Sequence, residues 1–168
     1  VVMPTALLIE APVIMLLSAS TALCRDRASY AFVSRTIWRL GLAFSALHTL
    51  VAWSPLYDWV VVPLLGVPEP VREPARLGLR MMVPWTIAIA YRRTQQGVLI
   101  RAGDPRAVSI GTAVRLIANG IVLAAAMAWP RLPGAMVGAI SVTFGVVAEA
   151  MFAGARVRPV LASGALPE

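Results

Sequence analysis

The sequence predicts an all-α polytopic membrane protein, a bundle of about five transmembrane helices. Of its 168 residues, 59% are hydrophobic and the mean hydropathy is +0.78, whereas soluble domains are about half apolar. The apolar residues form runs of about 20, the length that a helix needs to cross roughly 30 Å of hydrocarbon. The basic residues are fifteen arginines without a lysine, and they stand between the runs, as charges at membrane faces do.

The first two predicted helices cover about residues 3–22 and 30–53. A charged turn at 24–27 separates them, and Ser29 is predicted to cap the second helix because its hydroxyl can accept from an unpaired backbone N–H. Pro55 ends the second helix, since proline disfavours a helical residue before it.

A short apolar segment at 56–66 follows, and the third predicted helix covers about 70–102. Pro84 lies inside this helix and predicts a kink, because proline cannot donate a backbone hydrogen bond. The sequence Gly-Asp-Pro at 103–105 predicts the end of one helix and the start of the next. Glycine suits the position after a helix, aspartate the N-cap and proline the first helical residue.

The fourth predicted helix covers about 105–129, a tight turn lies at 130–133, and the fifth helix covers about 134–157. Small residues on the fifth helix predict a close packing surface, because lipid provides no hydrophobic drive between helices. They are Gly134, Gly138, Ala139, Ser141 and Gly145. The whole chain, 1–168, is therefore predicted to be one transmembrane domain.

Arginine counts predict the topology. One side of the predicted bundle holds ten arginines and the other holds four, and the positive-inside rule makes the ten-arginine side cytoplasmic. The ten are Arg25, Arg27, Arg35, Arg39, Arg92, Arg93, Arg101, Arg106, Arg156 and Arg158, and the four are Arg72, Arg76, Arg80 and Arg131.

The same pattern predicts the location and the partners. The arginines form neither a basic tail nor a separate basic face, which excludes a nucleic-acid partner. We expect an integral protein of a bacterial cytoplasmic membrane, with the lipid bilayer as its first partner. An external N-terminus and an odd number of spans predict that one upstream helix is missing, so that the chain is a fragment of a larger protein. The only cysteine, Cys24, can form no internal disulfide and is predicted to be incidental.

Polar residues inside the predicted spans are the candidate site, because charges there usually face a bundle interior or a wet cavity. The substrate-binding candidates are Arg92, Arg93, Gln95, Gln96, Arg115 and Asn119, and the candidates for coupling or for a clamp are Glu10, His48 and Glu149.

Each candidate also has a structural interpretation. Arg115 can pair with Glu149 as a clamp between helices. The long side chains of Arg92 and Arg93 can reach the headgroups. Glu10 can cap interrupted backbone, and His48 can be a buried, hydrogen-bonded imidazole instead of a proton or ligand site.

No metal-ligand or nucleophile motif occurs in the sequence, so we predict that the protein is not an enzyme and has no metal site or cofactor. Arginine, glutamine and asparagine bind anions well but supply little acid–base chemistry near neutral pH. The excess of arginine over carboxylate within the spans therefore favours an anionic substrate.

The order of short motifs resembles spans two to six of a lobe of the MATE-like transporters, in the multidrug/oligosaccharidyl-lipid/polysaccharide exporter superfamily. The motifs are LSASTAL at 17–23, LGVPE at 65–69, QGVLIRAG at 96–103, the span with Arg115 and Asn119, and PGAMVGA at 133–139. Within that superfamily, LHTLVAWS at 47–54 looks most like the progressive ankylosis branch.

The resemblance implies a secondary transporter of two six-helix lobes that exports a small anionic or amphiphilic solute, or a lipid-linked group, by alternating access. It implies Na⁺ or H⁺ coupling, a missing helix and a second lobe as partners, and a place for Asn119 in the cavity. Two alternatives stay open. One is a membrane scaffold or interaction subunit without transport, and the other is an intramembrane lipid-modifying enzyme.

Overall fold

The computed structural model describes residues 1–128 and 132–163, and these fold into α-helices with one π-helical turn and no strand. The helices are α1 (Val2–Ile14), α2 (Leu16–Leu23), α3 (Arg27–Trp53), α4 (Val62–Leu65), α5 (Glu69–Met81), α6 (Val83–Arg101), α7 (Pro105–Ala128) and α8 (Gly134–Ala162), with the π-helical turn at Tyr57–Val61. The last residue of the predicted fourth helix and most of the predicted turn at 130–133 lie outside the described residues.

The predicted helix at 3–22 is two helices, α1 and α2, which meet at Met15. Pro12 lies inside α1 and removes one backbone hydrogen bond from the helix shortly before the break. Together the two helices form an apolar segment, Val2–Leu23, that is long enough to cross a membrane.

Helix α3 begins three residues earlier than predicted because Asp26, and not Ser29, is its N-cap. The Asp26 carboxylate accepts from the Ser29 backbone N–H at 2.7 Å, and the Ser29 hydroxyl accepts from the Asp26 N–H at 2.9 Å. This reciprocal capping box satisfies two donors at once, and it lowers the pKa of Asp26 below its usual value.

The segment after α3 turns sharply. Helix α3 ends at Trp53, as Pro55 predicts, and the following segment Tyr57–Leu65 is bent from it by 84°. Gly66 then adopts a positive φ of 58°, which glycine does without a steric penalty.

The predicted helix at 70–102 is two helices, α5 and α6, with the break at Met82 and not at Pro84. Pro84 lies in the first turn of α6, where the missing N–H would have had no helical partner. The predicted kink at Pro84 within one helix is therefore wrong: the interruption is at Met82, and Pro84 lies in the first turn of the next helix.

The predicted boundary at 103–105 is confirmed. Gly103 has a φ of 82°, and the Asp104 Oδ1 accepts from the Ala107 backbone N–H at 3.2 Å. Helix α8 extends five residues past its predicted end at 157. Arg27 donates to the carbonyl of Leu161 at 2.5 Å and so satisfies one of the free carbonyls at this helix end.

Helix α6 is central and packs against α2, α3 and α8, while α8 also packs against α5 and α7. The α2–α6 contact is close, because a Cβ placed on Gly97 would lie 3.0 Å from the Leu17 carbonyl oxygen. By contrast, α7 exposes large apolar side chains such as Leu116 and Ile117, which are 61% and 64% exposed. Such a surface suits contact with lipid.

The described chain is therefore an α-helical bundle whose composition is consistent with an integral membrane protein. Three segments, Val2–Leu23, α7 and α8, are long and apolar enough to cross a membrane, and a fourth is added if α3 and the bent segment after it form one span. The predicted count of about five is not reached among the described residues, because α5 and α6 do not form one continuous apolar helix.

Candidate functional site

The centre of the candidate site is Glu149 on α8, whose side chain is 1% exposed. Its Oε2 lies 2.5 Å from Arg92 Nη1 on α6 and 3.6 Å from Arg115 Nε on α7. Its Oε1 accepts from Gln96 Nε2 at 2.9 Å. One carboxylate therefore joins side chains from two other helices, and we call these four residues the arginine cluster.

The local sequence explains this geometry. Arg92 and Gln96 are four residues apart, so both lie on the face of α6 that meets α8. On the α7 side, Gly111 leaves space for the glutamate, because a Cβ there would lie 3.3 Å from Glu149 Cγ.

The arginine cluster lies deep in the bundle. Arg92 precedes the end of α6 by nine residues, and Arg115 follows the start of α7 by ten. At 1.5 Å per residue, both are about 15 Å from this end of the bundle, which is about half the thickness of the hydrocarbon layer. Arg92 is 4% exposed, so it does not reach for the headgroups.

The arginine cluster carries excess positive charge. Arg93 is half-buried and lies within range of the charges of Arg92, Glu149 and Arg115. Two guanidinium groups thus pair with one carboxylate, and a third lies within range of its charge. Among the described residues, Arg92 Nε and Arg93 Nε have no hydrogen-bond partner, and neither does Gln96 Oε1. The site keeps two unused cationic donors and one acceptor.

Asn119 lies one turn after Arg115 but packs between α7 and α8. With its amide nitrogen turned toward them, it donates to the Ser141 carbonyl at 2.8 Å and to the Arg115 carbonyl at 3.2 Å; which end of an amide is nitrogen is assigned from such partners. Gly145 permits this contact, because a Cβ there would lie 2.9 Å from the Arg115 carbonyl oxygen. The amide is therefore engaged in helix packing.

Gln95 contacts α3 instead of Glu149. Its Oε1 accepts from the Tyr30 hydroxyl of α3 at 3.4 Å. The six predicted substrate-binding residues are thus not one group. Arg92, Gln96 and Arg115 contact Glu149, and Arg93 lies within range of its charge. Asn119 and Gln95 lie at helix contacts.

A second polar group forms around Thr86 of α6, a residue that sequence reasoning missed. His48 Nδ1 lies 2.8 Å from the Thr86 hydroxyl, and His48 Nε2 lies 3.0 Å from the Leu79 carbonyl oxygen. Thr86 also lies beside Glu10, but neither carboxyl oxygen of Glu10 has a hydrogen-bond partner in the described part of the chain. Nothing local marks Thr86, because a helical threonine ordinarily bonds its own backbone.

The observed positions of Arg115, His48 and Glu10 test the structural interpretation of each residue. The Arg115–Glu149 pair is present, and the shorter Arg92–Glu149 pair, which the sequence did not indicate, accompanies it. His48 is buried and hydrogen-bonded on both ring nitrogens. The carboxyl group of Glu10 caps no backbone that the structure describes.

The structure shows a helical bundle with three helices that could cross a membrane and a partly buried cluster of arginines around Glu149. No group of three or more His, Cys, Asp or Glu residues that could hold a metal ion occurs within residues 1–128 and 132–163. Comparisons with models of protein families, with curated proteins and with solved structures found no match. The resemblance to MATE-like transporters therefore stays a prediction.

Proposed function

We propose that the chain is part of a six-helix lobe of a MATE-like secondary transporter of a bacterial cytoplasmic membrane, with its ten-arginine side in the cytoplasm. The transporter exports a small anionic or amphiphilic solute, or a lipid-linked group, by alternating access. Its remaining partners are an upstream helix and a second lobe of the same protein. One observation carries the proposal: three guanidinium groups lie near the single carboxylate of Glu149, with Arg92 buried and Arg93 and Arg115 partly exposed.

The chemistry of the arginine cluster supports an anionic substrate. Burying charge within a bilayer costs several kcal/mol, so an unbalanced group of arginines there indicates function rather than stability. Guanidinium groups match carboxylate and phosphate oxygens well, because their N–H donors form a planar fork. An anion entering beside Arg93 would meet the buried Nε donors of Arg93 and Arg92, which no described residue uses.

Glu149 provides a way to release the substrate anion from the arginine cluster. The carboxylate holds Arg92 and Gln96, and a substrate anion competes with it for the same guanidinium group. Because α6 and α8 each contribute one partner, exchange of Glu149 for the substrate alters a contact between two helices. Alternating access requires such a contact with two arrangements.

Transport by the full-length protein in proteoliposomes tests this function. Labelled pyrophosphate, citrate and phosphate are offered with and without Na⁺ and pH gradients. Arg93→Ala should lower the rate for the transported anion about tenfold, because hydrogen bonds to charged groups contribute about 1.5–3 kcal/mol. Arg93 is the best target because it is only half-buried and forms no ion pair with Glu149 in this structure.

Arg35→Ala is the matched control. Arg35 is exposed on α3, and its Nε donates only to the Ala31 carbonyl of the same helix at 3.0 Å, so its removal should leave transport unchanged. If Arg92→Ala, Arg93→Ala and Arg115→Ala all leave the export of every tested anion at the wild-type rate, the anionic substrate is wrong.

A membrane scaffold is the second candidate function, and the bonds of Glu149 to both α6 and α7 favour it. A scaffold uses the arginine cluster only as a clamp. It predicts that no labelled solute moves in proteoliposomes, while Arg92→Ala and Glu149→Gln lower the melting temperature of the protein.

A further inference from the structure

Glu10, Thr86 and His48 form a buried group that the arginine cluster does not include. It joins α1, α6 and α3, and all three side chains are 0% exposed. Glu10 lies about 12 Å from the start of its apolar span, at 1.5 Å per residue. Both of its carboxyl oxygens lack a hydrogen-bond partner within the described residues. An ionised carboxylate in that setting is costly, and a neutral carboxylic acid is not.

The contacts of His48 fix the direction of hydrogen bonding. The Leu79 carbonyl oxygen can only accept, so His48 Nε2 carries a proton and donates to it at 3.0 Å. In a neutral imidazole the other nitrogen, Nδ1, is then an acceptor. The Thr86 hydroxyl, 2.8 Å away, donates its only proton to Nδ1 and leaves its lone pairs for Glu10.

We propose that Glu10, Thr86 and His48 form a site that binds and releases one proton. With the proton on Glu10, the carboxyl O–H can turn to donate to the neighbouring Thr86 hydroxyl, while Thr86 donates to His48 and His48 donates to Leu79. If the proton moves to His48 Nδ1, the Thr86 hydroxyl turns and donates to the Glu10 carboxylate. Both arrangements hold one proton from water, and only O–H and N–H bonds form and break.

Loss of that proton leaves the group unsatisfied. Thr86 has one O–H and two acceptors beside it, the Glu10 carboxylate and His48 Nδ1. One of them is then without a donor: either the buried, charged carboxylate of Glu10 or His48 Nδ1. The group therefore binds a proton more readily than a metal cation, which needs several oxygen ligands at once.

The charged neighbours of Glu10 connect this proton site to the arginine cluster. From α3 the titratable neighbour is His48, and from α6 the charged neighbour is Arg92, whereas α5 contributes the uncharged Leu79 carbonyl that accepts from His48. Arg92 is also the partner of Glu149. When Glu10 releases the proton, its negative charge lies near Arg92. This charge weakens the electrostatic attraction of Arg92 for any other anion.

Protonation of Glu10 should therefore strengthen the binding of an anion at the arginine cluster. By linkage, a bound anion should raise the affinity of the proton site for its proton by the same factor. This coupling rests on the proposed function, whereas the proton site itself does not. A separate experiment tests each of the two statements.

Infrared difference spectroscopy of the full-length protein in lipid tests the proton site. The carbonyl stretch of a buried protonated carboxyl should appear in wild-type protein and disappear as the pH rises. It should be absent from Glu10→Gln, persist in Glu149→Gln and shift in frequency in Thr86→Val, which lacks the hydroxyl. If Glu10→Gln does not fold, the shift in Thr86→Val serves in its place. Two outcomes would overturn the proposal. In the first, Na⁺ but not choline removes the band at constant pH, which would indicate a cation site. In the second, no pH-dependent band responds to Glu10→Gln or Thr86→Val.

Proton uptake on addition of pyrophosphate tests the coupling. In weakly buffered medium, wild-type protein that binds pyrophosphate should take up protons beyond those that pyrophosphate itself exchanges, and Glu10→Gln should bind it without this uptake. Equal uptake by both proteins would refute the coupling. Failure of wild-type protein to bind any of the three tested anions would refute the anionic substrate, while the infrared band would still decide the proton site.

Discussion

At the scale of single residues, the environment of Glu149 determines what the arginine cluster can do. Two arginines, one 2.5 Å and one 3.6 Å away, approach the same carboxylate oxygen, but their exposure differs. The Arg92 side chain is 5% exposed and that of Arg115 is 32% exposed. Solvent and headgroups screen an exposed pair far more than a buried one, so Arg92 depends on Glu149 much more than Arg115 does.

Glu149→Gln should destabilise the protein by about 3 kcal/mol, because it keeps a hydrogen-bonding group but leaves Arg92 as an uncompensated buried charge. Arg115→Ala should cost less than about 1 kcal/mol, since its pair is longer and partly exposed. Denaturant unfolding in detergent, followed by circular dichroism, measures both. Equal losses of stability would contradict the assignment of Arg92 as the principal partner of Glu149.

Asp104 provides a prediction at the membrane surface. Arg156 Nη2 donates to its Oδ2 at 2.8 Å, and this bond holds the pKa of Asp104 below its usual value. Because the folded-state pKa is depressed, the bond contributes stability above the ordinary carboxyl pKa and loses it as the pH falls through the lowered value.

Asp104→Asn isolates this effect, because asparagine is also a good N-cap and so preserves the start of α7. The melting temperature of the variant should be below that of wild-type protein at neutral pH, and the two should converge in strong acid. A difference that stays constant with pH would show that capping, not the charge, is responsible.

Only part of the candidate site could be predicted from the sequence, and the contacts of single residues show why. Arg115, Asn119 and Glu149 stand out because polar groups are rare in apolar helices, and the pairing of Arg115 with Glu149 followed from similar predicted depth. Arg92 and Thr86 have partners 57 and 38 residues away. No periodicity within one helix reports such contacts, since they depend on how α6 rotates against its neighbours.

At the scale of helices, local chemistry predicted the boundaries wherever one residue decided them. Gly103 and Asp104 formed the predicted end and cap, and Pro55 ended α3. The predicted helix boundaries were wrong where two features of the sequence favoured different positions. Ser29 resembles a cap, but Asp26 takes that role and Ser29 completes the capping box. Pro84 predicts an interruption, but its preference for a first helical turn moves the break to Met82.

The contact between α2 and α6 yields a prediction for helix packing. A Cβ on Gly97 would lie 2.5 Å from Ser20 Cβ and 2.9 Å from the Thr21 backbone nitrogen, and backbone cannot yield as a flexible side chain can. Gly97→Ala should therefore destabilise the protein by about 1–3 kcal/mol, the usual cost of overpacking. Unfolding in detergent measures it.

Gly120→Ala is the matched control, because nothing lies within 4 Å of a Cβ at Gly120 on α7. Alanine is the better helix former, so this variant should be as stable as wild-type protein or more so. If both alanine variants behave alike, α2 and α6 do not approach as closely as the structure has them.

At the scale of the whole molecule, two groups of arginines bind side chains and carbonyls at opposite ends of the bundle. At one end Arg27 donates to the Leu161 carbonyl, Arg101 to the Thr21 carbonyl and Arg156 to Asp104. At the other end Arg76 donates to the carbonyls of Ala52 and Ser54 and to Asp58, and the guanidinium of Arg80 lies over the ring of Trp53. These arginines are grouped as the sequence predicts, but Arg92, which was counted with the ten-arginine side, lies buried about 15 Å from that end.

Labelling of substituted cysteines determines which end faces the cytoplasm. In a Cys24→Ala background, Glu73→Cys and Ser163→Cys place exposed thiols near opposite ends. The positive-inside rule predicts that a membrane-impermeant maleimide labels position 73 in intact cells and position 163 only in opened cells. The Cys24→Ala protein without a new cysteine controls for background. The reverse pattern would invert the topology, and labelling of both positions in intact cells would contradict a bundle whose two ends lie on opposite sides of the membrane.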